Sequence, residues 1–144
     1  MTTKEYFNSI RKLKARIGAK EIQIETLREL ATNISPSYSG MPHEPPKTTS
    51  PMADAICKAL DMEAEVARLK ETLRAEELKA MELIGRVEST EEQNLLVRRY
   101  IRLEPWEDIA RHMYYSESSI YRLHRNAIKT FDTILASVTV DDSR

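Results

Sequence analysis

The chain has 144 residues, close to a third of them charged, with 22 basic against 23 acidic side chains and a formal net charge of −1. That length allows one ordinary domain or two small ones, and the even balance leaves no global basic field that would hold nucleic acid by itself. Three glycines and two phenylalanines favour solvent-exposed helices over a thick core. The single cysteine, Cys57, excludes an internal disulfide and fits a reducing compartment. Its neighbours Ala55, Ile56, Ala59 and Leu60 point to a buried structural thiol. No stretch approaches the ~20 apolar residues of a membrane span, and the opening MTTKEYFNSIRKLK has no continuous signal-peptide core. A soluble intracellular protein is the expectation.

Residues 3–33 carry Tyr6, Ile10, Leu13, Ile17, Ile24, Leu27, Ala31 and Ile34 at alternating steps of four and three, with Lys20 the polar interruption. That is a heptad-like helical seam, narrow enough to need a partner along its length. Residues 35–52, SPSYSGMPHEPPKTTSPM, hold five of the six prolines and cannot be a continuous helix. From Ala53 to Glu88 the rhythm returns at Ala55, Ala59, Met62, Val66, Leu69, Leu73, Ala80, Leu83 and Val87, broken at Glu76. Gly85 weakens the last turn of this helix by about 1 kcal/mol relative to alanine. Two seams of equal length around a reversing loop predict an antiparallel, coiled-coil-like helical hairpin over 1–88. Charge agrees with that pairing: the first helix is rich in basic residues such as Arg11, Arg16, Lys20 and Arg28, the second in acids such as Glu63, Glu65 and Glu71. The seams could instead serve a homodimer, and the basic first helix could face nucleic acid.

Residues 89–136 read as a small trihelical unit, followed by a polar, frayed tail at 137–144. Two overlapping capping boxes, Ser89 with Glu92 and Thr90 with Gln93, announce a helix bearing Leu95, Leu96, Val97 and Tyr100. Glu104–Pro105 end it and place proline near the first turn of the next helix. The stretch PWEDIARHMYYSESSIYRLHRNAIKTF (105–131) then forms two amphipathic helices joined by a tight turn. Trp106, Ile109, Ala110 and Met113 make the apolar face of the first; Ile120, Leu123, Ala127 and Phe131 make that of the second. Ser116 is the expected N-cap of the second helix. Its polar face carries Ser118, Ser119, Arg122, Arg125, Asn126 and Lys129, donors suited to a DNA major groove. The whole is expected to be all-α: a hairpin joined to a trihelical helix-turn-helix unit.

The register TEEQNLLVRRYI…PWEDIARHMYYSESSIYRLHRNAIKTF resembles region 4 of the sigma-70 family. The shared marks are Leu96, Arg99, Tyr100, Trp106, Ile109, Ala110, Met113, Ser116, Ile120, Leu123, Ala127 and Phe131. The start of the chain, and SYSGMPH followed by a proline-rich loop, look like phage-encoded late-gene transcriptional regulators of the ArpU/RinA type. The resemblance implies a promoter-binding activator of phage or prophage late genes in the cytoplasm of a bacterial host. Its partners would be double-stranded promoter DNA and bacterial RNA polymerase. The base-reading positions it implies are Ser118, Ser119, Tyr121 and Arg122; Ser116, Arg125, Lys129, Arg99 and Arg111 would contact phosphates, with Arg98 and Arg102 flanking. Two positions depart from the pattern: Tyr114 stands where a small turn residue is usual, and Glu117 where a basic one is. A promoter-melting region rich in aromatics is absent from the sequence.

His43, His112 and His124 are scattered, with no ligand-spaced partners, so neither a metal nor another cofactor is expected. Residues Ser37–Gly40 form no nucleophile elbow and no glycine-rich phosphate loop exists, so no enzyme or small-molecule substrate is expected. The motif Tyr38–His43 is expected to dock on the chain itself, with a solvated connection or docking of Tyr38 and Met41 on RNA polymerase as the alternatives. A protein–protein adaptor, binding polymerase without specific DNA contact, is the competing expectation.

Overall fold

The computed structural model describes residues 1–33 and 50–142, with side chains through 139. The expectations for the proline-rich loop and for Tyr38–His43 therefore lie outside the described residues, apart from Ser50, Pro51 and Met52. All described secondary structure is helical: α1 Thr3–Thr32, α2 Pro51–Ile84, α3 Thr90–Leu96 running directly into a π-helical turn at Val97–Ile101, α4 Trp106–Met113 and α5 Glu117–Asp142.

Local chemistry sets these bounds. At the start of α1, the Glu5 amide donates to Thr2 Oγ1 at 3.2 Å while the Thr2 amide donates to the Glu5 carboxylate at 3.0 Å. This reciprocal capping box satisfies two amides that the helix leaves free. Helix α2 starts at Pro51, inside the stretch expected to be loop. Ser50 Oγ accepts the Ala53 amide at 3.0 Å, and proline at the first helical position has no amide to leave unpaired. The helix ends at Ile84 rather than Glu88, because Gly85 opens a turn in which the Val87 amide donates to the Ile84 carbonyl at 3.0 Å. Val87 is buried all the same, at 1 % exposure. At α3, Ser89 caps by accepting the Glu92 amide, but Thr90 is already helical, so the second expected box does not form. Gln93 instead donates to the carbonyl of Val87.

By contacts, the chain divides into two compact units: Met1–Lys12 with Leu73–Arg144, and Leu13–Thr72. In the second unit, Ile17, Ile24 and Ala31 of α1 and Ala59 and Val66 of α2 are buried. Ion pairs join the same two helices: Arg28–Glu63 at 2.5 Å, Lys20–Glu65 at 3.3 Å and Lys70–Glu21 at 2.8 Å. Within this unit, residues 20–28 of α1 therefore lie beside residues 63–70 of α2. Cys57 is exposed, contrary to the expected buried thiol. Two residues along a helix turn about 200°, so with Ala59 on the seam Cys57 faces away from it.

The first unit does not divide at residue 88, as the heptad argument supposed. Its core joins Tyr6, Phe7 and Ile10 of α1 to Ala80, Leu83 and Ile84 of α2 and to Leu95, Leu96, Ile109, Ile120, Ala127, Phe131 and Leu135. Phe7, which falls off the seam, is 2 % exposed; its ring stacks on Tyr100 at 4.5 Å and meets Phe131 at 5.0 Å. Thr3 fixes the start of α1 to α5: its amide and its Oγ1 lie 2.7 and 2.5 Å from Asp132 Oδ1. A carboxylate there also faces the positive end of the α1 dipole. The expected tail does not begin at 137, because α5 continues to Asp142, with Leu135 buried and Val138 packed against the core.

Candidate nucleic-acid interface

Helices α3 and α4 both pack on α5. The chain passes from α4 to α5 through Tyr114–Ser116. Tyr114 adopts a left-handed conformation, φ 59° and ψ 40°, at the C-terminus of α4. The Tyr115 amide reaches the Ala110 carbonyl at 3.0 Å and the Tyr114 amide reaches that of Arg111, which caps the helix end by a Schellman arrangement. Tyr115 Oη then donates to Glu91, fastening the turn to the start of α3. Ser116 Oγ accepts the Ser119 amide at 3.2 Å, so Ser116 is the N-cap expected from the sequence.

Along α5 the buried positions are Ile120, Ala127, Phe131 and Leu135. Ser118, Arg122, Arg125 and Lys129 fall on the opposite side, and all four are exposed. Arg122, Arg125 and Lys129 form no ion pair among the described residues. The result is a ridge of three uncompensated cations, headed by a helix N-terminus whose free amides favour anions. The remaining base-reading candidates flank this ridge. Ser119 receives a hydrogen bond from Ser116 Oγ at 2.8 Å, and the Tyr121 ring leans on Trp106 at 5.4 Å between centroids.

The other basic candidates are already engaged. Arg98 Nη1 lies 3.1 Å from Glu104 Oε1, and Glu104 also receives Arg102 at 3.8 Å and His112 at 3.1 Å. Arg111 pairs with Asp108 at 2.5 Å. Arg99 donates to the Glu104 carbonyl at 3.1 Å and lies 4.6 Å over the Trp106 ring. Glu104 thus offsets part of the charge of a cluster that the sequence alone presents as a basic flank. Its position just past the helix carried no signal for this, because the reach depends on the π turn, where the Arg102 amide bonds to the Val97 carbonyl.

Sequence reasoning also missed the surroundings of His124. Its Nε2 sits 2.7 Å from Tyr100 Oη, and Trp106 meets its ring edge-on at 4.6 Å. Burial first, then the positive charges of Lys4 and Arg99, pushes its pKa down to about 4. His124 is therefore neutral at ordinary pH and shares a hydrogen bond with the Tyr100 hydroxyl. Burial likewise raises the Tyr100 pKa, opposed in part by Arg99. Among the described residues no group of His, Cys, Asp and Glu could hold a metal ion, and no helix is long and apolar enough to cross a membrane. No family model, curated protein or solved structure matches this chain.

Proposed function

We propose that the chain is a sequence-specific DNA-binding transcriptional regulator in which α4, the Tyr114–Ser116 turn and α5 act as a helix-turn-helix, carried by a helical hairpin built from α1 and α2. The observation that carries this reading is the exposed Ser118–Arg122–Arg125–Lys129 ridge on a helix whose other side is core. A rigid helix with one apolar and one cationic face has the dimensions and donors for a major groove. Arg122, one turn in, would read guanine with two donors; Arg125 and Lys129 would hold phosphates. The sigma region 4 register adds the expectation of a promoter as the site and of RNA polymerase as the recruited partner. It also adds activation of phage or prophage late genes as the role.

A second reading is an adaptor that binds polymerase without specific DNA contact. The engagement of Arg98, Arg102 and Arg111 with carboxylates favours it, since it takes three of the cations expected at or beside DNA out of the free basic surface. Selection of binding sites from random duplexes, followed by titration at several salt concentrations, separates the two. A DNA-binding regulator enriches a sequence and loses affinity steeply with salt, because neutralised phosphates release counterions. An adaptor enriches none.

A further inference from the structure

A cavity of about 550 Å³ opens beside the aromatic core of the first unit, between the start of α1, the π turn and the start of α4. That volume lies within the range of pockets that enclose small organic ligands. Its walls are of two kinds. Half-buried Tyr100 and Trp106 contribute ring surface, backed by the buried Phe7, and His124 adds a further ring. Lys4, Arg11 and Arg99 contribute three cations against the single carboxylate of Glu5, and that carboxylate already accepts the Thr2 amide. Lys4 and Arg11 form no ion pair among the described residues, and Arg99 touches a carbonyl and a ring but no acid.

We propose that this cavity is a binding site for a small anion with a flat aromatic body, an aromatic carboxylate being the simplest member. The rings offer stacking surface to a planar ligand. The uncompensated Lys4, Arg11 and Arg99 offer charge-assisted hydrogen bonds to its anionic group. The π turn supplies one residue to each half, Arg99 to the cations and Tyr100 to the rings. The cavity uses none of the ridge residues Ser118, Arg122, Arg125 and Lys129, so it is separate from the proposed DNA face.

Trp106 is the only tryptophan, so its emission reports occupancy directly. The full chain is titrated with naphthalene-1-carboxylate, with the uncharged naphthalene-1-methanol and with acetate. The carboxylate is expected to change Trp106 emission saturably, and the alcohol and acetate to bind about tenfold more weakly or worse, each lacking one half of the recognition. Lys4→Gln and Arg11→Gln, at exposed side chains, are expected to weaken the carboxylate while leaving the thermal melt unchanged. Absence of a saturable change, equal binding of the alcohol, or parent-like binding by both variants overturns the proposal. The ligand comparison on the unaltered chain decides the matter even if a variant folds poorly, and no DNA is present, so the outcome is independent of the role given to α5.

Discussion

A Schellman end requires a residue at positive φ, which glycine adopts at no steric cost and a tyrosine adopts only with its Cβ crowded against the carbonyl. Tyr114 meets that demand at φ 59° with its side chain 96 % exposed, so no packing offsets the strain. Tyr114→Gly is therefore expected to stabilise the protein by about 1 kcal/mol in denaturant unfolding; a loss of stability would contradict this account of the turn. Tyr6 gives a second test. Its hydroxyl is buried without a hydrogen-bond partner among the described residues, and burial with the nearby Glu76 charge raises its pKa to about 12. Tyr6→Phe is expected to be neutral or stabilising by about 1 kcal/mol, since it removes a desolvated polar group and keeps the ring. His124 makes stability depend on pH. It titrates near pH 6.5 when unfolded and near 4 when folded, so between these values the unfolded chain binds more protons. Stability from this group is therefore present above about pH 6.5 and is lost as pH falls toward 4. The melting temperature of His124→Gln should fall less across that window than the parent's; identical slopes would show that His124 is not held neutral.

At the scale of the element, Ser116 ties sequence to structure most directly. Ser116→Ala removes the acceptor for the Ser119 amide and should cost about 1 kcal/mol in unfolding free energy. The helices were legible because their signals are local. Apolar spacing placed Tyr6, Ile10, Ile17 and Ile24 on one buried line of α1, and Ile120, Ala127 and Phe131 on one buried line of α5. Ser116 and Ser89 announced their caps by residue type. The π turn at Val97–Ile101 had no such signature, since none of its residue types marks a change from α to π hydrogen bonding. The fate of the arginines was hidden for the same reason. Charge type is read from sequence, whereas the partner of Arg98 or Arg102 depends on where the chain folds back.

At the scale of the molecule, the heptad pattern located helices but not the division between compact units. It treated Tyr6 and Ile10 as one end of a hairpin, whereas Phe7, beside them and off the seam, carries α1 into the same core as Phe131 and Tyr100. An aromatic next to a seam position was the available signal. Residues 89–142 are therefore expected not to fold alone, and Phe7→Ala is expected to destabilise the α3–α5 unit by about 3–5 kcal/mol, read from the fluorescence of Trp106. A fragment starting at Ser89 should lack a cooperative melt. The central claim, that the α5 ridge is the surface presented to DNA, is tested most directly by the salt dependence of binding to a selected duplex in the parent, Lys129→Ala and Arg122→Ala. The account predicts that Lys129→Ala weakens all sequences alike and lowers the log–log salt slope by about 1. It predicts that Arg122→Ala loses about 1–3 kcal/mol on the selected site and with it the base preference. Parent-like affinity, slope and preference in both variants would contradict it.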